Sequence, residues 1–222
     1  MSRRSIPTFS PSRRVFLAHL LAGSAALAQK ESTSPWDAAY LTDNPSFNLE
    51  ANSFLVHVAE GLSPGRALDV GMGQGRNALH LARRGWKVSG FDVSRAGIAQ
   101  ALQRASDEEL VIDAVVQSAQ EYDWGSERWD LIVLAYFPFL RPSLPSILSS
   151  LRPGGSVVVE AYHADSARDR PPGPGAGVTF STNELPRLFA DLRLLEYHDL
   201  RAQADWGLFE TRLVRLHARK EA

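Results

Sequence analysis

The sequence predicts an α/β fold: a seven-stranded, mostly parallel sheet with an antiparallel C-terminal strand, held between helices as an α/β/α sandwich. Three observations predict it. Residues 66–92 hold one strand–helix–strand unit, in which apolar Ala67, Leu68 and Val70 run into glycines at 71, 73 and 75. Asp130-Leu-Ile-Val-Leu-Ala135 is a nearly all-apolar run, as expected of a strand covered on both faces. Leu151-Arg-Pro-Gly-Gly155 then leads from helix-period sequence into a valine run. Strands that alternate with helices in this way build a parallel sheet.

Taken in order, Ser12-Arg-Arg-Val-Phe-Leu17 looks like a twin-arginine export signal. A mildly apolar stretch from Val15 to Ala28 follows and ends in the small-x-small pattern Ala26-Leu27-Ala28. His19, Gly23 and Ser24 interrupt that stretch, which is too short for a membrane span. Residues 1–28 are therefore expected to be a signal peptide directing the protein to the periplasm. The alternative is a cytoplasmic protein with a short amphipathic N-terminal helix or a start misassigned ahead of Trp36. Residues 29–62 follow as a polar linker and N-terminal cap helices. Trp36 and Tyr40 lie at i and i+4, on one face of a short helix. Phe47 to Gly61 reads as a helix, with Leu49, Phe54, Leu55, Val58 and Ala59 apolar. Ser63-Pro64-Gly65 turns the chain into the first strand of the main domain, 63–222.

Within that domain the first strand precedes the glycines, a helix carries Ala78, Leu79, Leu81 and Ala82, and a second strand ends on Asp92. Ser94 is placed to cap a helix running to about Ser106. The third strand is expected at Leu110–Val116 and the fourth at Asp130–Ala135. A helix with Leu144, Ile147, Leu148 and Leu151 precedes a fifth strand at Ser156–Ala161. Leu192–Asp199 and Leu208–His217 complete the sheet as its antiparallel end. His163 to Phe180 has no periodicity, two tandem prolines and a Gly-Pro-Gly-Ala-Gly run. Its place after the fifth strand makes it a candidate substrate lid.

The chemistry follows from the first unit. Glycines at 71, 73 and 75 let backbone approach a ligand, and Asp92 at the tip of the second strand can accept both hydroxyls of a ribose. This is a site for an adenosine-containing cofactor. A dinucleotide fingerprint would place glycine at position 76, which is Arg. The pattern is instead D-x-G-x-G-x-G, and Asp69 suits a cationic ligand group better than a pyrophosphate.

At these residues the chain resembles the class I S-adenosylmethionine-dependent methyltransferases, with a Rossmann-like fold, over most of 36–217. Asp69, Gly71, Gly73, Gly75, Asp92 and the Leu151–Gly155 turn carry the match. The resemblance implies that Asp69 meets the methionine ammonium, directly or through water, the glycine loop wraps the methionine part, and Asp92 holds the ribose. The position near the adenine amino group, often acidic in the family, matches Ser118, with the backbone of Ala119 as a further contact. Ala135-Tyr136-Phe137-Pro138 ends the fourth strand and departs from the Asn-Pro-Pro-Tyr sequence used on planar amino groups, which argues against those acceptors. Ala135 lines the cofactor site, and Tyr136 and His163 are the catalytic candidates, the latter as general base. Trp36 and Tyr40 either cap the pocket or staple their helix. Arg76 and Asn77 are assigned structural roles and His80 a solvated one.

Trp-Asp-x-x-Tyr, Asn44-Pro45 and Gly-x-Gly-Arg-Asn are similar to the tellurite-resistance and thiopurine-like branch, which implies a small thiol, phenol-like or oxyanion acceptor. The alternatives are an aminopropyltransferase of the polyamine type and a non-catalytic cofactor-binding protein. Composition narrows the field. At 222 residues with 44% apolar side chains, the chain can bury one substantial core. A net charge of −1 gives no electrostatic case for a nucleic-acid partner. The absence of cysteine removes thiolate nucleophiles and thiolate metal sites, and the six histidines lack close metal-ligand spacing, so no metal site is expected.

Overall fold

The computed structural model describes residues 34–41, 48–169 and 179–222, the side chain of Arg168 excepted. The export segment, the linker to residue 33, Asn44-Pro45 and the centre of the expected lid lie outside the described residues. The described residues belong to one compact unit.

Two helices, α1 (Pro35–Tyr40) and α2 (Ser53–Glu60), precede β1 (Arg66–Val70), α3 (Arg76–Arg83), β2 (Lys87–Asp92), α4 (Arg95–Asp107) and β3 (Ile112–Val116). Then come β4 (Trp129–Ala135), α5 (Leu140–Ser150), β5 (Leu151–His163), β6 (Thr179–Phe180), α6 (Glu184–Leu188), β7 (Arg193–Gln203) and β8 (Glu210–Arg219). The sheet order is β3-β2-β1-β4-β5-β8-β7, with β6 paired to β5. Strands β1 to β5 run parallel, while β8 is antiparallel to both β5 and β7. The predicted mostly parallel sheet with its antiparallel end is therefore present, with the two-residue β6 added.

Alternation explains the two faces. Leu68 and Val70 of β1 and Ile132 and Leu134 of β4 pack on one side with Leu140 and Ile147 of α5. Ala67, Leu131 and Val133 point the other way, onto Phe54, Leu55 and Val58 of α2, Leu79 of α3 and Ile98 of α4. Both faces of the central strands are covered, which is why their sequences are apolar without a polar phase.

Several boundaries moved, four of them for reasons visible in the chain. Helix α2 starts at Ser53, because Asn52 caps it by accepting the Leu55 N–H at 3.0 Å; Leu49 lies outside it and is exposed. Strand β3 starts at Ile112 rather than Leu110. Strand β5 begins at Leu151, which had been assigned to the preceding helix. Strand β8 begins at Glu210 instead of Leu208, whose φ of +55° belongs to a turn.

Candidate functional site

The carboxyl ends of β1, β2, β3 and β4 meet where the strand order reverses, between β1 and β4, and a cleft opens there. Its base is the glycine loop. Gly71, Gly73 and Gly75 have φ of +66°, +51° and +77°, a region that costs other residues strain. At Gly73 a Cβ would also overlap the Tyr40 hydroxyl. The loop is held by Asp92, whose carboxylate accepts the Gly73 N–H at 2.9 Å and the Ser94 N–H at 2.8 Å. Burial pushes the Asp92 pKa up, and those two N–H groups pull it back.

The cleft holds a cavity of about 170 Å³ that opens on one side to solvent. Gly71, Asp92, Ser118, Ala119 and Ala135, all expected at the cofactor, line it. Ser118 donates its hydroxyl to Glu121 at 2.8 Å, so an acid does stand beside this position, three residues on. Gly73 and Gly75 shape the loop from beneath, Gly75 as N-cap of α3. Trp36 and Tyr40 both line the cleft, so helix α1 forms part of its wall. Asp37 pins that helix in place: its carboxylate accepts the Ser94 hydroxyl at 2.7 Å and the Ala96 N–H at 2.9 Å at the start of α4.

Three expectations need correction. Asp69 lies away from the cleft lining, fully buried, and accepts the Ala78 N–H of α3 at 3.0 Å. Burial raises its pKa from 3.8 to about 7, against the Ala78 hydrogen bond and the nearby Arg76 charge. It braces the loop-to-helix junction. His163, the proposed base, is also absent from the lining. Its Nδ1 accepts the Asp165 N–H at 3.0 Å and its Nε2 lies 3.1 Å from the Thr182 hydroxyl, so both ring nitrogens are engaged at the end of β5. His80 is half-buried, and its Nε2 has no partner. Arg76 and Asn77 are structural, as expected: Arg76 donates to the Glu50 carbonyl at 2.9 Å, and Asn77 accepts the Asn52 N–H at 2.9 Å.

Tyr136 lines the cleft with its ring but turns its hydroxyl away from it. Its backbone sits at φ +57°, and the phenol donates to Glu160 at 2.5 Å. Burial and the Glu160 charge hold the phenol well above its ordinary pKa. Glu160 is itself buried in β5 and is shared with Arg215 at 2.6 Å and the Asn52 amide at 2.8 Å.

Sequence reasoning missed the opposite wall. Trp206, in the turn between β7 and β8, faces Trp36 at 5.8 Å and stacks near Tyr136 at 5.9 Å between ring centroids. Asp205 anchors that turn by accepting from Ser53 N–H at 2.6 Å and the Asn52 amide at 3.1 Å. Phe137 and Phe139 complete an aromatic rim.

Residues 67–155 match a family described as a methyltransferase domain. The chain is 30% identical over 176 residues to TehB of Haemophilus influenzae, described as a probable S-adenosyl-L-methionine-dependent methyltransferase. That alignment covers 72% of this chain and 59% of TehB. It is 33% identical over 159 residues to Hemagglutinin 1 of Eikenella corrodens, covering 67% of this chain and 50% of that protein. The crystal structure of TehB from Haemophilus influenzae superposes with a TM-score of 0.65 at 25% identity, over 77% of this chain and 62% of that one. The chain thus spans between 50% and 59% of these curated relatives' length.

Proposed function

We propose that this chain, which carries a class I S-adenosylmethionine-dependent methyltransferase domain, methylates a small-molecule nucleophile that arrives with its reactive lone pair already available. When bound, S-adenosylmethionine supplies a methyl group on a sulfonium, which passes to the acceptor as the carbon–sulfur bond breaks. The cleft fits the cofactor: Gly71 lines it with backbone alone, and Asp92 stands beside it. Asp92 would hold the ribose, the 117–120 segment the adenine, and the glycine loop the methionine part. The aromatic rim of Trp36, Phe137, Phe139 and Trp206 would exclude water and orient the acceptor.

One observation carries the reading on the acceptor. Among the described residues lining the cleft, the titratable side chains are Asp92, Tyr40 and Tyr136. Asp92 is committed to two backbone N–H groups, and Tyr136 is held protonated on Glu160. Among the described residues no His, Lys or Glu lines the cleft, and on this reading the protein positions the acceptor without a ready base. A thiol, phenol-like compound or oxyanion meets that condition. Initial rates against thiols of graded acidity test it. The pH–rate limb should track each acceptor's own pKa. One fixed limb shared by all acceptors would show a protein base at work and refute the proposal. Isothermal titration with S-adenosylhomocysteine tests the cofactor assignment, with binding expected in the native chain and lost in Asp92→Ala.

We further infer that residues 1–28 direct export, because the arginine pair, apolar stretch and cleavage pattern occur in the required order. Replacing Arg13-Arg14 by Lys-Lys should retain the protein in the cytoplasm, and an unchanged distribution would end this reading.

A further inference from the structure

The acceptor side of the cleft is aromatic. Trp36, Tyr136, Phe137, Phe139 and Trp206 line it. Between ring centroids, Trp36 lies 5.8 Å from Trp206, Trp206 lies 5.9 Å from Tyr136, and Phe137 lies 6.2 Å from Phe139. Among the described residues no Lys, Arg or His lines the cleft, and the charged side chain that does, Asp92, is an acid. Arg76 and Arg215 stay outside the lining. Arg76 donates to the Glu50 and Asp205 carbonyls at 2.9 and 3.3 Å, and Arg215 donates to Glu160 at 2.6 Å. Aromatic faces carry a negative quadrupole and attract a cation, the more so where water is excluded. Such a wall suits a group that becomes positive as it reacts.

A second observation points the same way. Asp92 accepts the Gly73 and Ser94 N–H groups, and the Tyr136 phenol donates to Glu160, so neither stands ready to take a proton. A thiolate gives up its charge on methylation and gains nothing from a cation-attracting wall. A thioether has no proton to lose, and its sulfur takes on a positive charge when methylated. Both features of the cleft, the aromatic wall and the want of a base, match that acceptor.

We propose a further activity at this site, resting on the methyl-transfer reading above: methylation of neutral thioethers to sulfonium products, with the aromatic wall stabilising the positive charge that arrives on the acceptor. A lone pair of the thioether sulfur forms the new bond to the methyl carbon. The carbon–sulfur bond of the donor breaks, and its electron pair stays on the S-adenosylhomocysteine that leaves. One positive charge moves from donor to acceptor, and no proton is released.

Benzyl methyl sulfide is the probe for turnover by the full-length protein. Mass spectrometry should detect benzyldimethylsulfonium, formed at a rate that is flat between about pH 6 and 9, where thiol rates follow the acceptor's ionisation. Trp206→Ala should lower kcat/KM for the sulfide by about tenfold or more, with Trp206→Phe restoring most of it and S-adenosylhomocysteine affinity within about twofold in both. Binding gives a readout free of turnover. With S-adenosylhomocysteine saturating, choline should bind about tenfold or more tightly than its neutral isostere 3,3-dimethylbutan-1-ol, and Trp206→Ala should remove the difference. Thiol methylation without sulfonium formation, or equal affinity for choline and its isostere, would overturn the proposal and leave the proposed function standing. Absence of S-adenosylhomocysteine binding together with absence of any methylation would overturn both.

Discussion

Asp69→Asn should make the protein more stable at alkaline pH, although it alters an acid inside the glycine motif. The Asp69 carboxyl is buried and accepts the Ala78 N–H, which an amide oxygen can also accept. Burial raises its pKa from 3.8 to about 7. Below pH 4 the folded and unfolded chains both carry the proton. Between pH 4 and 7 the folded form keeps a proton that the unfolded chain has released, so stability falls as pH rises. The loss is complete near pH 8 and amounts to at most about 4 kcal/mol, at roughly 1.4 kcal/mol per pH unit. The amide brings N–H donors of its own, and leaving them unpaired costs about 1–3 kcal/mol at every pH. The variant should therefore compare worst with the native protein below pH 4 and gain on it steadily towards pH 8. Thermal melts across pH 5–8 read the difference, at about 2–4 °C per kcal/mol for a chain of this size. A melting difference independent of pH would refute the buried, proton-holding carboxyl. A tenfold loss of S-adenosylhomocysteine affinity in Asp69→Asn would show that the carboxylate serves the cofactor after all.

Gly73→Ala forces a side chain into a φ of +51° and into the Tyr40 hydroxyl. It should cost about 1–3 kcal/mol in melts and weaken S-adenosylhomocysteine by at least tenfold in calorimetry. Glu160→Gln leaves the Arg215 guanidinium, only 16% exposed, without its counter-charge. Denaturant unfolding should show a loss of about 3–5 kcal/mol. Trp206→Ala removes one wall of the acceptor side. Steady-state kinetics should show a raised KM for the acceptor with the KM for S-adenosylmethionine within twofold, and equal rises in both would place Trp206 on the cofactor instead.

Much of the cofactor half was legible because its determinants are local. A glycine that needs positive φ, a strand read from an apolar run and an acid at a strand tip are all visible within 30 residues of one another. Spacing does not reveal which way a side chain turns. Asp69 and Asp92 look equivalent in the motif, yet one faces α3 and the other faces the cleft. Tyr136 was read as a catalytic candidate from its place after β4. Its left-handed backbone and its bond to Glu160 are what turn the hydroxyl away from a substrate. The one sequence signal for that network was an acid inside a strand otherwise made of Val157, Val158, Val159 and Ala161, since a carboxylate there must find buried partners. His163 carried no comparable signal. Its role depends on Thr182, which β6 brings beside the end of β5.

The two halves of the cleft are built differently, and this bears on how the protein can vary. The cofactor half is one continuous stretch, β1 through β3, folded by short-range contacts along a parallel sheet. The acceptor half is assembled from α1, the end of β4 and the β7–β8 turn, which are far apart in the chain. They are held together by buried polar pins. Asp37 fixes α1 to α4, Asp205 fixes the turn to α2, and Glu160 ties β4, β5, β8 and the start of α2 together. Each pin sits behind the aromatic residue it positions, outside the cleft lining. Trp36, Phe139 and Trp206 can therefore be exchanged without unpairing a buried charge, whereas the pins cannot. On the proposed function, acceptor choice falls to residues that can change at small cost in stability, on supports that are expensive to alter.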